Sequence, residues 1–256
     1  MDTMYNHFEN LSCFYNELRT TDLEPIKFIC KKLQNRSNLK GADIGCGGGR
    51  YDLLLLKHLP ELQLICGDVN EAMINETTSY LKSHGQKKFS AHCIDASDLK
   101  LPKGALDFLS TFNAIHHFEP VEFLNQAGRA LKEGGYVFVY TRLKSQNMRN
   151  IWGKFFPEFI EKEDRLYDLS QIKEWINKLE SLRLEAIHFF NFKRALPLKQ
   201  LLSQAEKKHY STFSLYTEVE FDKALKIFKN KIKRNYEDIE RVQWSDENVM
   251  ILFCKD

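Results

Sequence analysis

Apolar and polar positions along the chain follow two alternating patterns. Short apolar runs that suit buried strands alternate with longer segments whose apolar residues recur every three or four positions, as in amphipathic helices. Strands are predicted at about 40–46, 63–68, 89–94, 106–112, 136–140, 183–190 and 249–254. Helices are predicted at about 22–35, 50–59, 71–84, 119–132 and 169–181. Strands that alternate with helices of this length predict βαβ units, a mostly parallel sheet and three layers.

The chain is expected to form a single domain, because its 256 residues are close to the upper size for one hydrophobic core. Residues 1–38 are predicted to be an N-terminal helical cap on a ligand-binding core at 39–142. Two long connections, 143–168 and 191–246, follow the core, and the second contains two helical stretches. Because long connections are usually functional, both are predicted to form a lid over a binding site.

One glycine-rich segment lies between the first predicted strand and its helix. Asp43 is followed by Gly45, Gly47 and Gly49. Glycine adopts positive φ and lets a ligand approach the backbone closely, and the helix start offers unpaired N–H groups. The dinucleotide fingerprint G-x-G-x-x-G does not fit, because its last glycine would fall on Arg50. The segment therefore suits a different nucleoside ligand, and the alternative is a plain strand-to-helix turn.

The pattern Asp-x-Gly-x-Gly-x-Gly resembles the first motif of class I S-adenosylmethionine (SAM) dependent methyltransferases. The resemblance is to the small-molecule, methyltransferase type 11-like branch, and it covers residues 39–142 well and the rest in outline. It implies a Rossmann-like three-layer sandwich with a seven-stranded, mostly parallel sheet. It also implies an antiparallel last strand, a helical insert before it, and SAM as the cofactor, with S-adenosylhomocysteine as the product. In this family the carboxylate at Asp43 helps to orient the cationic amino-acid end of the cofactor.

Further cofactor contacts are expected where the next strands end. Asp68 follows Gly49 by nineteen residues, near the spacing of a ribose-binding acid, although a helix-capping role is the alternative. In the resembled family an aspartate at the position of Asp95 accepts from the adenine amine; an ordinary turn is the alternative. The complete set of predicted cofactor-binding residues is Asp43, Gly45, Cys46, Gly47, Gly49, Asp68, Val69, Met73, Asp95, Ala96, Phe112 and Asn113.

The segment after the fourth predicted strand contains the candidates for proton transfer. His116 and His117 resemble a His-His pair of the family's small-molecule branch, and imidazole titrates near neutrality. A structural role for either histidine is the alternative. No nucleophilic serine or cysteine is required, since the cofactor supplies a reactive methyl group and the protein must position the acceptor. The segment is not the Asn/Asp-Pro-Pro-Tyr type associated with methylation of amino groups on nucleic acid bases.

The acceptor site is predicted from mixed aromatic and polar residues in the first long connection. This mixture suits a lid that seals an apolar cleft and offers polar anchors, and a core-packing helix with a solvated face is the alternative. The candidates are Arg142, Arg149, Trp152 and Phe156. An N-terminal flap is predicted from Tyr5, His7, Phe8 and Tyr15.

Three functions are compatible with these motifs. The favoured one is methyl transfer from SAM to a small molecule. An RNA methyltransferase is the second, because residues 193–234 carry eleven Lys/Arg against four Asp/Glu with aromatic residues between them. The helix with Phe221, Leu225 and Phe228 on one side is also typical of an amphipathic helix with a solvated basic face, which we favour. The third function is SAM binding without methylation.

Composition adds few constraints. A net charge of +2 gives no general attraction to nucleic acid or to membranes. No apolar run approaches the ~20 residues of a membrane span. The six cysteines form no C-x-x-C pair, which predicts free thiols, a cytoplasmic location and no metal site.

Overall fold

The computed structural model describes residues 20–256. The predicted flap residues Tyr5, His7, Phe8 and Tyr15, and the first half of the predicted cap, lie outside the described residues. The strands are β1 Lys40–Ile44, β2 Gln63–Asp68, β3 Phe89–Cys93, β4 Leu106–Phe112, β5 Leu131–Thr141, β6 Leu182–Leu196 and β7 Val242–Lys255. The helices, numbered from the first described one, are α1 Glu24–Leu33, α2 Arg50–His58, α3 Glu71–Ser83, α4 Pro120–Ala130, α5 Lys144–Arg149, α6 Ile151–Phe155, α7 Phe159–Lys162, α8 Leu169–Ile176, α9 Leu198–Glu206 and α10 Glu218–Asn235. Two 3₁₀ helices span Ile115–His117 and Ser211–Leu215.

The strands form one seven-stranded sheet in the order β3-β2-β1-β4-β5-β7-β6. The pairs from β3 through β5 are parallel, whereas β7 is antiparallel to both of its neighbours. The predicted fold class is confirmed, including the antiparallel last strand and the helical insert that precedes it. The strand order reverses between β1 and β4, so the carboxyl ends of these two strands form the topological switch point where α/β proteins bind ligands.

Burial on both faces of the sheet explains why its central strands are nearly continuous apolar runs. Every residue of β4 is buried. One face packs in a cluster that contains Phe123, Val137 and Ile251, and the other in a cluster that contains Ile29 and Phe138. The third predicted helix begins as expected, because the side chain of Asn70 accepts a hydrogen bond from the amide of Met73.

The largest differences from the predicted boundaries concern β5, β6, β7 and α8, and β7 begins at Val242 instead of near residue 249. Strand β5 begins at Leu131, directly after α4, because Leu131 pairs with Leu106 of β4 before an irregularity in register that ends where Tyr136 pairs with Phe108. Strand β6 continues to Leu196 instead of ending near residue 190. Its polar second half is held by an antiparallel ladder with β7, and this tertiary pairing outweighs the weak local preference for a strand. Helix α8 ends at Ile176 rather than at residue 181.

The two long connections pack against each other at the carboxyl end of the sheet. Trp152 in α6 stacks on Phe228 in α10, with ring centroids 4.9 Å apart. Phe156 and Phe213 complete an aromatic cluster that also buries the apolar side of α10. The interpretation of α10 as an amphipathic helix therefore agrees with its packing. None of the helices described between residues 20 and 256 combines the length and the apolar character of a membrane span.

Candidate functional site

A cavity of about 930 Å³ opens where the central parallel strands end. One half is bounded by residues that follow β1, β2, β3 and β4. The other half is bounded by residues of the two long connections and of β5, β6 and β7. Of the predicted site residues, those that line the cavity are Gly45, Gly47, Asp68, Val69, Met73, Asp95, Ala96, Phe112, Asn113, His116, His117, Arg142 and Trp152.

The glycine segment forms a tight bend with left-handed backbone at Gly45, Gly47 and Gly49, where φ is 75°, 54° and 78°. The amides of Gly45 and Cys46 both donate to the carbonyl oxygen of Gly67, at 2.8 and 3.0 Å, which ties the bend to β2. A Cβ on Gly45 would lie 2.5 Å from the Cβ of Ala114. The absence of a side chain at Gly45 therefore lets the bend pack closely against the segment that contains Ala114 and Phe118.

Gly49 and Cys46 belong to the bend, but neither lines the cavity. A Cβ on Gly49 would lie 3.0 Å from Cγ2 of Thr77, so the absence of a side chain lets α3 pack closely. The thiol of Cys46 lies 3.8 Å from the hydroxyl oxygen of Thr77. Burial raises the pKa of this thiol, so it remains protonated at neutral pH.

Asp68 connects the bend to the next helix and borders the cavity. Its Oδ2 accepts from the amide of Gly47 and its Oδ1 from the amide of Asn70, both at 3.0 Å. Burial raises the pKa of Asp68, against the opposing effect of these backbone hydrogen bonds. Beside it, Val69 is 61% exposed, while Met73 is buried. The carboxylate and these two apolar side chains border the same cavity.

Asp43 lies behind the bend instead of lining the cavity. Its carboxylate accepts from the hydroxyl of Ser110 at 2.8 Å and is fully enclosed. Burial raises the pKa of Asp43 well above its ordinary range, and the nearby carboxylates of Asp52 and Asp68 raise it further. Burial also raises the pKa of Asp52 to about 7. Any influence of Asp43 on a ligand would be exerted through the bend.

Asp95 occupies a turn after β3. The amide and the hydroxyl of Ser97 both donate to its Oδ1, at 2.8 Å. These two hydrogen bonds, the backbone one first, lower the pKa of Asp95, so the side chain is ionised and can accept hydrogen bonds. Ala96 next to it is nearly buried and lines the same part of the cavity.

Phe112 and Asn113 lie at the switch point, between the two halves of the cavity. Phe112 stacks on Tyr51 with ring centroids 4.2 Å apart. Asn113 has a positive φ of 54° and its side-chain oxygen accepts from the amide nitrogen of Asn248 at 3.3 Å. His116 and His117 follow in the 3₁₀ helix, with their rings 4.1 Å apart, and both line the cavity.

The four predicted acceptor residues separate into two pairs. Arg142 and Trp152 line the cavity, whereas Arg149 and Phe156 do not. Arg149 is exposed and paired with Glu247, because α5 turns its side chain outward. Phe156 is buried in the aromatic cluster behind Trp152. Sequence spacing alone could not separate these pairs, because the direction of each short helix depends on its tertiary packing.

The structure adds residues that the sequence did not single out. A wall of alternating charges runs along the cavity, in which Arg194 is bonded to both oxygens of Asp22 at 2.7 Å. Arg194 also lies 3.7 Å from Asp246, which in turn pairs with Arg142. These ion pairs join segments that are remote in sequence, so no local signal could have revealed them.

Two further cavity residues carry buried polar atoms. The side-chain amide nitrogen of Asn70, Nδ2, and the hydroxyl of Tyr140 have no hydrogen-bond partner among residues 20–256. The side-chain oxygen of Asn70 is used in capping α3, whereas its nitrogen is not. Buried polar groups normally have partners, so both atoms are available to a ligand.

The described residues 20–256 contain no group of three or more His, Cys, Asp or Glu side chains that could hold a metal ion. The five cysteines in this range, Cys30, Cys46, Cys66, Cys93 and Cys254, are free thiols.

Comparisons with known proteins agree with the geometry. A family model for the methyltransferase domain matches residues 42–135, the segment that contains the bend, Asp68 and Phe112. No curated protein matches the chain.

Solved structures of similar fold are numerous. One is a provisionally assigned methyltransferase from an antibiotic biosynthesis pathway of Anabaena variabilis, with a TM-score of 0.68 and 20% identity over 91% of this chain and 98% of that chain. Another, from Bacillus halodurans C-125, has a TM-score of 0.64 and 16% identity over 92% of this chain and 99% of that chain. A third is geranyl diphosphate C-methyltransferase of Streptomyces coelicolor in complex with Mg²⁺, geranyl-S-thiolodiphosphate and S-adenosyl-L-homocysteine. It has a TM-score of 0.57 and 13% identity over 90% of this chain and 75% of that chain. At these identities the likeness is one of fold.

Proposed function

We propose that this chain, a SAM-dependent methyltransferase with its methyltransferase domain at residues 42–135, transfers the methyl group of SAM to a small-molecule acceptor. The observation that carries the proposal is the single cavity in which the glycine bend and an enclosed aromatic and polar chamber meet at Phe112 and Asn113. Its volume of about 930 Å³ lies at the upper end of the range for small-molecule sites, as expected for a cofactor and an acceptor side by side.

The cofactor half fits an adenosyl ligand. Asp68 would hold the ribose hydroxyls, and Val69 and Met73 would pack on the adenine. Asp95, which is ionised and exposed, would accept from the adenine amine, and the backbone of Ala96 would donate to a ring nitrogen. Gly45 and Gly47 line the cavity, so the backbone of the bend would face the ligand with no side chain between them. When bound, SAM supplies a methyl group on a good leaving group, so the protein needs no covalent nucleophile.

The residues of the chain would position the cofactor and the acceptor, and would accept a proton from the acceptor. Phe112 and Asn113 would lie next to the transferred methyl group, where the hydrogen bond from Asn248 fixes the amide of Asn113. Arg142 and Trp152 would contact the acceptor. One of His116 and His117 would take a proton from an acceptor that carries one, because imidazole titrates near neutral pH. Holding the acceptor in line with the methyl group is the main source of rate enhancement.

The acceptor half favours a compact molecule that is partly apolar. Aromatic side chains such as Trp152 and Trp244 line it, and two arginines that line the cavity, Arg142 and Arg194, are already paired with carboxylates. A polyanion would therefore find few uncommitted cations there. The lysine-rich side of α10 faces away from its buried apolar side, which supports a solvated surface more than a nucleic-acid groove.

We propose the same organisation for the domain. Residues 39–142 bind the cofactor, residues 143–168 and 191–246 form the lid, and residues 20–38, the described part of the predicted cap, belong to the same domain. The shared aromatic cluster of the two connections supports a common role as a lid. A cytoplasmic location is proposed from the free thiols.

The test is a transfer assay with SAM labelled at the methyl group. The purified chain is incubated with a low-molecular-weight metabolite fraction or with total tRNA, and label is measured in each. We expect label in the small-molecule fraction and none in tRNA, with Asp68→Ala as the inactive control. Label in tRNA, with binding that weakens steeply as salt is raised, would replace this proposal by RNA methylation. Tight SAM binding without transfer to either pool would indicate a SAM-binding protein that does not methylate.

A further inference from the structure

Tyr140 places a hydroxyl group at the centre of the cavity wall. It is the penultimate residue of β5 and lies in register with Phe112 of β4. Only 1% of its surface is exposed, and it lines the cavity. Its hydroxyl oxygen has no hydrogen-bond partner in the part of the chain that the structure describes, residues 20–256.

The packing of the ring does not require a hydroxyl. Its neighbours are Tyr51, Phe112 and Phe190, with ring centroids 5.9, 6.1 and 5.7 Å away. Phenylalanine would satisfy all three contacts. A buried polar group without a partner loses its hydrogen bonds to water and gains none, so the hydroxyl lowers the stability of the unliganded protein. A ligand that accepts its hydrogen bond would offset this cost.

The hydroxyl acts as a donor. Burial raises the pKa of Tyr140, with a further increase from the neighbouring groups Tyr51 and Asp22, so it stays protonated at any physiological pH. Its partner must therefore offer a lone pair, and an anionic oxygen makes the strongest such bond.

The surroundings favour a ligand group that carries both charges. Asp22, Arg194 and Asp246 continue the wall of alternating charge beside Tyr140. On the other side, Arg50 lies over the ring of Tyr51 at 6.0 Å. An α-amino-acid group matches such a wall, since it presents an ammonium and a carboxylate together. The methionine end of SAM is such a group, and its carboxylate is the only anion of the cofactor.

The order of the strands points the same way. The group assigned to the ribose ends β2, the glycine bend ends β1, and Phe112 ends β4, and these strands are neighbours in the order β2-β1-β4-β5. A cofactor that begins at Asp68 and crosses the bend is directed towards β4 and β5. Tyr140 is the buried donor of β5 at that position.

We propose that the hydroxyl of Tyr140 donates a hydrogen bond to the α-carboxylate of the cofactor's methionine end, and thereby positions the cofactor across the switch point. The proposal rests on SAM as the cofactor and not on the identity of the acceptor. Tyr140 is thus a cofactor-binding residue that no motif of the sequence indicates.

The test is isothermal titration of the full chain and its Tyr140→Phe variant with two ligands. S-adenosylhomocysteine carries the carboxylate, whereas 5′-methylthioadenosine lacks the whole amino-acid part. We expect the variant to bind S-adenosylhomocysteine about tenfold or more weakly, the loss typical of a hydrogen bond to a charged group. Its affinity for 5′-methylthioadenosine should equal that of the wild type.

Two further measurements separate this role from a structural one. The melting temperature of unliganded Tyr140→Phe should equal or exceed that of the wild type, because the lost hydroxyl has no protein partner among the described residues. Tyr136→Phe is the matched control, since Tyr136 lies on the same strand and face but does not line the cavity, and it should leave both affinities unchanged.

Unchanged S-adenosylhomocysteine affinity in Tyr140→Phe, or equal weakening for both ligands, overturns the proposal. Either result leaves the proposed methyl transfer to a small molecule intact, because that proposal is judged by the fate of the label.

Discussion

Replacing Gly45 by alanine should damage both the stability of the fold and the cofactor site. The backbone at Gly45 has φ 75°, a conformation that costs an L-residue about 1–2 kcal/mol. The new Cβ would also lie 2.5 Å from the Cβ of Ala114 and 3.0 Å from the ring of Phe118. Carbon atoms prefer about 3.5–4.0 Å, so one of the two segments must move by about 1 Å.

The movement would reach functional residues. Ala114 is flanked by Asn113 and the 3₁₀ helix with His116 and His117, all at the cavity. Adding about 1–3 kcal/mol for overpacking to the conformational cost gives an expected loss of about 2–5 kcal/mol in the free energy of unfolding. Because the displaced segment carries residues that line the cavity, affinity for S-adenosylhomocysteine should fall at least about tenfold. A tenfold loss corresponds to only about 1.4 kcal/mol in the free energy of binding.

Gly85 provides a matched control. Its φ of 73° imposes the same conformational cost, but nothing lies within 4 Å of the position of its Cβ. Gly85→Ala should therefore lose about 1–2 kcal/mol and bind S-adenosylhomocysteine like the wild type. Urea unfolding and isothermal titration measure the two quantities. If the two variants are equally stable and bind equally well, close contact between the bend and the Ala114 segment has no energetic role.

Three other perturbations test separate parts of the structure. Asp68→Ala removes the acceptor of the Gly47 and Asn70 amides and the proposed ribose anchor, so binding of S-adenosylhomocysteine should weaken at least about tenfold by calorimetry. The control is Arg149→Ala at an exposed position, and an unchanged affinity in Asp68→Ala would argue against the ribose assignment. Burial raises the pKa of Asp52 to about 7 in the folded state, whereas the pKa of an aspartate in an unfolded chain is about 3.9. Between these two pH values the folded chain binds more protons than the unfolded chain, so its stability falls as pH rises. Asp52→Asn should flatten that fall in unfolding curves measured from about pH 4 to about pH 7, and an unaltered slope would contradict the raised pKa. Trp152→Ala should lower the free energy of unfolding in urea by about 3–5 kcal/mol, because it empties the position stacked on Phe228. The control is Met148→Ala at an exposed position, which should change it negligibly. An equally small loss in Trp152→Ala would refute the role of the aromatic cluster.

Local features of this protein were predictable from the order of its residues. Alternating strand and helix patterns specified the parallel core, and the glycines at 45, 47 and 49 specified a bend with positive φ. Asp68 was predictable because the β-α-β unit places the acid after β2 next to the bend after β1. Such features follow from a few neighbouring residues, since backbone conformation and strand adjacency constrain them directly.

Other features depend on how distant segments pack against one another. Arg142 and Arg149 look equivalent in sequence, but the first enters the cavity and the second pairs with Glu247 at the surface. The ion pair between Asp22 and Arg194 spans 172 positions, and strand β6 extends to Leu196 only because β7 pairs with it. The lone hydroxyl of Tyr140 is recognisable only once its neighbours are known to offer it no partner. Side-chain direction, long-range pairing and the balance of buried polar groups are properties of the packed chain, and no local pattern encodes them.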